Sequence, residues 1–194
     1  NIMSDQISKK EKTIENFVLK LKQNIKSLFF AGLILIASLI LIMVLNQKRQ
    51  NNLIAISDQY YQAKILINNN RTSEGKNILE SIILKKNKVY SPLSLYLIID
   101  TNIEQDNKKI TMFFDELIKI KKLSDENKNL IKIKKALYLS SFVKDEQLLI
   151  DLLNPIINSN SLWRTTAIEF MVKYFLHRNQ KIKSNEYLKL LNNK

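Results

Sequence analysis

Residues 28–45 read LFFAGLILIASLILIMVL, 18 positions without a charge. At ~1.5 Å of rise per residue such a helix covers about 27 Å, close to a hydrocarbon core of about 30 Å once its flanks are added. A cleaved signal peptide has a shorter apolar run, about 7–15 residues, and a small-x-small cleavage site. This run is longer and ends in Met43-Val44-Leu45-Asn46. The expectation is an uncleaved signal anchor over 28–45, the other reading being a buried helix of a soluble domain. Lys9, Lys10, Lys12, Lys20, Lys22 and Lys26 precede the span, whereas only Lys48 and Arg49 follow it before Lys64. A bias of six to two predicts that the N-terminus stays in the cytoplasm and that the C-terminal domain crosses the membrane.

This gives a basic cytoplasmic tail (1–27), a transmembrane helix (28–45), a linker (46–52) and a domain (53–194). In the tail, Ile14, Phe17, Leu21 and Ile25 recur at helical spacing. Two readings stand: a helix lying on the anionic inner leaflet, or a topology signal with no further role.

The domain has about 150 residues, enough for one real core. It is poor in turn residues: the whole chain has two glycines, Gly32 and Gly75, and two prolines, Pro92 and Pro155. That scarcity favours helices joined by short polar turns over a strand-and-turn architecture. Cysteine is absent, which removes disulfides and thiolate chemistry. The net charge of +13 has two readings. It suits a binder of nucleic acid or anionic lipid. It also suits the coding bias of an AT-rich genome, since Lys, Asn and Ile are abundant together. Acids interleave with the basic residues throughout, which favours the second reading, and no nucleic-acid partner is expected.

Apolar periodicity places the helices. Leu53, Ile56, Tyr60, Ala63 and Ile67 keep one face before Asn68-Asn69-Asn70. Ile78, Leu79, Ile82 and Ile83 form the next stripe. Ser91-Pro92 reads as a helix start, with Ser91 as cap, followed by Leu93, Tyr96, Leu97 and Ile99 or Asp100. Ile110, Phe113, Phe114, Leu117 and Ile118 make a clean stripe. Ser124 caps a helix whose expected face is Leu130, Ile133, Leu137 and Tyr138. Leu148, Leu149, Leu152 and Leu153 follow, with Asn154-Pro155 expected to bend or end that helix. Trp163, Ala167, Phe170, Met171 and Tyr174 make the penultimate stripe, and Ile182, Tyr187, Leu188 and Leu191 the last.

Breaks inside helix pairs fall near 70, 107, 144 and 179, about 35–37 residues apart. A two-helix period of about 34 residues is the tetratricopeptide signature. The fold expectation is therefore all-α: one N-terminal transmembrane helix followed by a degenerate tetratricopeptide-like solenoid of about four helix pairs. The small residues usual at close-packing positions survive best in the first pair, as Ala63 and Gly75. An irregular helical bundle is the alternative.

No catalytic constellation is visible. His177 stands alone, without Cys or a second His to share a metal, and two glycines make no phosphate loop. Asp115-Glu116, Asp125-Glu126 and Asp145-Glu146 read as solvated faces or first-turn acids. Neither an enzyme nor a cofactor is expected. Most aromatics sit in core stripes; Tyr60, Tyr61 and Tyr96 are the candidates for a binding groove, because solenoids bind on concave surfaces.

A tail opening Met3-Ser4-Asp5, one signal anchor and about 150 residues of degenerate repeats make the chain similar to the YfgM-type ancillary subunits of the bacterial SecYEG translocon. The most specific likeness lies near the C-terminus, where alphaproteobacterial members carry Pro-Trp-Arg, then a small residue and an acid. Trp163, Arg164, Ala167 and Glu169 fit; Leu162 stands where proline is expected. The resemblance implies a single-pass, non-enzymatic adaptor on the periplasmic side of the inner membrane, working with SecYEG and a periplasmic chaperone on exported chains. Other readings of the same residues are an envelope-assembly coordinator with a different protein partner, and a basic module for anionic lipid or polymer. Within the motif, Trp163 is expected to pack between the last two helix pairs. Arg164 is expected to meet carbonyls near Ile157, an acid or a partner.

Overall fold

The computed structural model describes residues 25–192, together with Glu15. The basic tail, with the pattern Ile14, Phe17 and Leu21, lies outside the described residues. Among those described, all regular structure is helical: α1 (Ile25–Asn68), α2 (Thr72–Leu84), α3 (Tyr90–Asp100), α4 (Asn107–Ile118), α5 (Asp125–Ser140), α6 (Glu146–Ile157), α7 (Arg164–His177) and α8 (Lys181–Asn192). The chain divides into two compact units, 1–54 and 55–194.

The first unit holds the apolar stretch of α1, which is long and apolar enough to cross a membrane. None of that stretch is buried by the protein, and Phe29, Leu33, Ile36, Ile40 and Val44 are all exposed. A helix apolar on every side and covered by nothing suits lipid rather than a protein core. Residues 46–52, read above as a linker, are helical.

In the second unit, asparagine does the stopping that glycine usually does. Asn70, Asn102 and Asn179 adopt φ of 61°, 52° and 58° just after α1, α3 and α7. Each closes its helix with the same pair of bonds. Arg71 N–H reaches Leu66 O and Asn70 N–H reaches Ile67 O; Ile103 and Asn102 reach Ile98 and Ile99; Gln180 and Asn179 reach Phe175 and Leu176. This satisfies carbonyls that a helix end leaves orphaned, and asparagine tolerates the left-handed position better than other side chains. At the entries, Asp106 accepts from Lys108 and Lys109 N–H, Ser124 from Asn127 N–H, as expected, and Asp145 from Gln147 N–H.

Consecutive helices pack against each other, around two apolar clusters. One gathers Ala63, Leu79, Ile83, Leu95, Ile98, Phe113, Phe114 and Leu117. The other gathers Ala136, Leu149, Leu153, Ile156, Ala167, Ile168, Met171 and Phe175. Gly75 is needed where α2 meets α1: a Cβ there would stand 2.6 Å from Ile67 Cγ1 and 2.9 Å from the Ala63 carbonyl oxygen.

Several local expectations need correction. Ser91 is not a cap: α3 begins at Tyr90, and Asn87 Oδ1 accepts the Val89 and Tyr90 N–H groups. Ser91 is buried and donates its hydroxyl to Ile82 O at 2.7 Å, tying α3 to the end of α2. The fully buried face of α3 is Ser91, Ser94, Leu95 and Ile98; Tyr96, Leu97 and Ile99 pack half-buried against the first cluster beside it, and Leu93 is exposed. The buried face of α5 is Ile131, Ile133, Lys135, Ala136 and Leu139, so Leu130, Leu137 and Tyr138 lie off it. Leu148, Ile182 and Leu188 are exposed. Pro155 does not end α6, which runs to Ile157. Burying Ile156 and Ile157, at roughly 1.5–3 kcal/mol each, outweighs the ~3 kcal/mol cost of an internal proline.

Candidate functional site

The displaced stripes locate the site. In α3, Leu95 and Ile98 face the core, leaving Tyr96 and Ile99 on another side. In α5, Ile131, Ala136 and Leu139 face the core, leaving Leu137, which is 61% exposed, and half-buried Tyr138 on another side. In α7, Ala167, Ile168, Met171 and Phe175 are buried, with half-buried Phe170 and nearly buried Tyr174 at the edge. A globular helix needs one apolar stripe. These three alternate helices each carry apolar surface beyond it, and the surplus meets in one groove.

Two hollows form that groove. The first, of about 190 Å³, is lined by Tyr96, Ile99 and Asp100 of α3, Phe114 of α4, and Lys134, Leu137 and Tyr138 of α5. The second, of about 360 Å³, lies between α5 and α7 and is lined by Leu137, Ser140, Phe170, Lys173, Tyr174, His177 and Arg178. Leu137 belongs to both.

The rings are held in place. Tyr138 donates its hydroxyl to Asn107 Oδ1 at 2.6 Å and stands 5.9 Å from Phe114 and 5.2 Å from Phe142, centroid to centroid. Phe170 stacks on Tyr174 at 6.3 Å. The Lys134 ammonium sits 4.6 Å over the Tyr96 ring, and the Arg178 guanidinium 4.7 Å over Tyr174. Burial pushes the Tyr96 phenol up to about 12, so it stays neutral at physiological pH. Burial also raises Tyr138 and Tyr174. The Tyr174 hydroxyl is buried and has no hydrogen-bond partner.

Of the three sequence-predicted groove aromatics, Tyr96 lines the first hollow. Tyr60 and Tyr61 lie together on α1, 5.9 Å apart, with Tyr60 also 5.6 Å from Tyr90. Tyr60 packs half-buried on the first cluster, while Tyr61 is exposed. Leu137, Lys134, Phe170 and Lys173 were missed. For Leu137 and Phe170 the signal is the apolar surplus on α5 and α7, which periodicity assigns to core stripes; the sequence carries no such signal for the two lysines.

The C-terminal motif sits elsewhere. Trp163 precedes α7 and packs half-buried on the second cluster. Arg164 donates to Ile157 O and to Leu190 O, each at 2.9 Å, joining the end of α6 to α8. One of the three roles weighed for it, carbonyls near Ile157, is what the structure places there. Ala167 is fully buried and Glu169 exposed.

His177 lies at the rim of the second hollow. Among the described residues no three His, Cys, Asp or Glu side chains cluster in a way that would hold a metal ion. Apolar surface, rings and lone ammonium groups can grip a chain. Comparison with protein-family models, with curated proteins and with solved structures finds no match.

Proposed function

We propose that the chain is a membrane-anchored, non-enzymatic adaptor that binds proteins through the groove of α3, α5 and α7. The observation that carries this reading is the second apolar stripe on three alternate helices. Such surface costs solubility unless something covers it. Ties between helices support a tetratricopeptide-like repeat. They recur at separations of 33 residues (Tyr90 to Ser57), 31 (Tyr138 to Asn107), 32 (Asn129 to Ser161) and 35 (Arg178 to Val143). In such a stack every second helix lines one face.

The six-to-two basic bias across the span puts the domain outside the cytoplasm. With the Trp163-Arg164 motif and the anchor, it favours a place beside the SecYEG translocon of a bacterial inner membrane, alongside a periplasmic chaperone. Anchoring raises the effective concentration of the groove for chains emerging nearby.

The test is site-directed photocrosslinking in intact membranes, with the probe at Leu137, together with reporters fused after Lys194. The expected result is capture of translocon subunits, a chaperone or exported chains, and an active extracytoplasmic reporter. Capture of cytoplasmic proteins only, with an active cytoplasmic reporter, sinks the proposal.

A further inference from the structure

The charges around the groove say more about what it takes. The neighbouring depression around Met112 and Phe142 also holds charged residues, Asp115 and Glu116 among them. There both carboxylates are matched within the chain: Asp115 pairs with Lys135 at 2.6 Å, and Glu116 with Lys86 at 2.8 Å and Lys119 at 3.1 Å. Lys134 and Lys173, on the groove, make no salt bridge among the described residues. Asp100 is the one carboxylate lining either hollow. The groove is therefore apolar, with Lys134, Lys173 and Arg178 along it against the single carboxylate of Asp100.

Its dimensions fix the rest. An apolar cavity of ~150 Å³ holds a benzene-sized group, whereas drug-sized ligands need ~300–1,000 Å³. The first hollow, at about 190 Å³, suits one aromatic or large aliphatic side chain; the second, at about 360 Å³, takes a side chain together with the backbone beside it. The hollows flank α5, so their centres stand the width of a helix with its side chains apart, ~10 Å. A chain extended in the polyproline conformation advances ~3.1 Å per residue and puts every third side chain on one face, which makes about three residues between anchors.

We propose that the groove binds an extended polypeptide segment with two large apolar side chains about three residues apart, flanked by acidic residues. One apolar side chain fills the Tyr96–Phe114–Tyr138 hollow, the other lies over Phe170, and the carboxylates face Lys134 and Lys173. This rests on the adaptor reading and names the class of chain that the groove takes.

The test uses the full chain in lipid nanodiscs and fluorescent 12-residue peptides read by anisotropy. One peptide carries two phenylalanines three apart among glutamates. A second replaces the glutamates by lysines. A third replaces the phenylalanines by serines. The acidic aromatic peptide should bind at least about tenfold more tightly than either relative. Leu137→Asp should weaken it by about tenfold or more, without lowering the melting temperature, since Leu137 is largely exposed. Lys134→Glu with Lys173→Glu should turn the preference toward the lysine peptide. Equal binding of acidic and basic peptides, unchanged binding by Leu137→Asp, or displacement of the peptide by phosphatidylglycerol vesicles would overturn the inference. If the peptides fail while photocrosslinking still captures translocon or chaperone subunits, the groove inference falls and the adaptor stands.

Discussion

The two halves of the helical domain are tied together by different chemistry. Around the first cluster the links between helices are mostly lysine–carboxylate pairs: Lys76 with Glu104, Lys109 with Glu80 and Glu104, Lys86 with Glu116. Around the second they run mostly to the main chain. Glu126 accepts from the Leu162 N–H, Arg164 donates to Ile157 and Leu190 carbonyls, Arg178 to Val143 and Lys144 carbonyls, and Ser184 to Val172 O. Each half has exceptions: Ser91 to Ile82 O and Tyr90 to Ser57 in the first, and the Lys183–Glu146 pair, Asn129 to Ser161 and Ser161 to Glu126 in the second. Partly exposed lysine pairs contribute ~0–1 kcal/mol and are screened by salt. A guanidinium that fills orphaned helix carbonyls is worth more, because its loss leaves acceptors unsatisfied. The chain has four arginines, and two of them do this work. A lysine has no planar fork with which to reach two carbonyls at once.

The largest effects should be common to both halves. Phe113 and Phe175 are fully buried, one in each cluster, and either change to alanine should cost roughly 3–5 kcal/mol. Trp163→Ala should cost less than either, because the indole is only half covered. Urea unfolding of the full chain in micelles, followed by circular dichroism, checks the ranking. Trp163 is the single tryptophan, so its fluorescence reports the second half alone in the wild type. Coincident fluorescence and dichroism curves mean that the halves unfold together; an earlier fluorescence transition would break the domain in two.

Gly75→Ala should destabilise by about 1–2 kcal/mol. Alanine gains up to ~1 kcal/mol in helix propensity, but the new methyl meets the Ala63 carbonyl oxygen, which is backbone and cannot swing aside. An unchanged or raised melting temperature would show that α2 slides on α1 at little cost.

How far this was legible depended on how many sides of each helix are apolar. The α4 segment, with Phe113, Phe114 and Leu117 against Lys108, Lys109 and Glu116, has one apolar face, and it was read correctly. The α3 segment, Leu93-Ser94-Leu95-Tyr96-Leu97-Ile98-Ile99, is apolar almost all round. Periodicity could not choose its inner side, and Ser94, small and polar, went inside. The misread stripes of α3 and α5 are the groove: two apolar faces on one helix signal a core and something else. The asparagine breaks were visible, although their left-handed geometry was not. The length and purity of the span were legible from 18 residues alone.

Arg164→Ala should cost about 1–3 kcal/mol by leaving two carbonyls unpartnered, and Arg164→Lys should recover less than half of it. In the first half, Lys109→Ala should cost under about 1 kcal/mol. Raising salt to about 1 M should shrink the Lys109 effect and leave the Arg164 effect nearly intact. Equal salt sensitivity would erase the distinction between the two halves.

The smallest and most specific effect concerns Glu104. Its side chain is 10% exposed. Oε1 accepts the Gln105 and Asp106 N–H groups at 2.9 and 3.0 Å, while Oε2 faces Lys76 and Lys109 at 3.4 and 3.2 Å. The Asp106 N–H bond leads in holding the carboxyl well below the usual carboxylate range, at about 2, and the two ammonium groups add to it. A depressed folded-state value means that the unfolded chain takes up its proton first as pH falls. The contribution of Glu104 is therefore fully present above the ordinary glutamate value of ~4.3 and is lost progressively as pH drops toward 2. Glu104→Gln keeps an acceptor for the backbone but removes the charge. At neutral pH it should lower stability by roughly 1 kcal/mol or less, and the difference from wild type should vanish as pH approaches 2. Glu116 and Glu146 are also held low by lysines, so both proteins lose stability in acid, and only the difference between them isolates this carboxylate. A variant whose deficit stays constant from pH 7 to pH 2 would show that Glu104 acts through shape rather than charge.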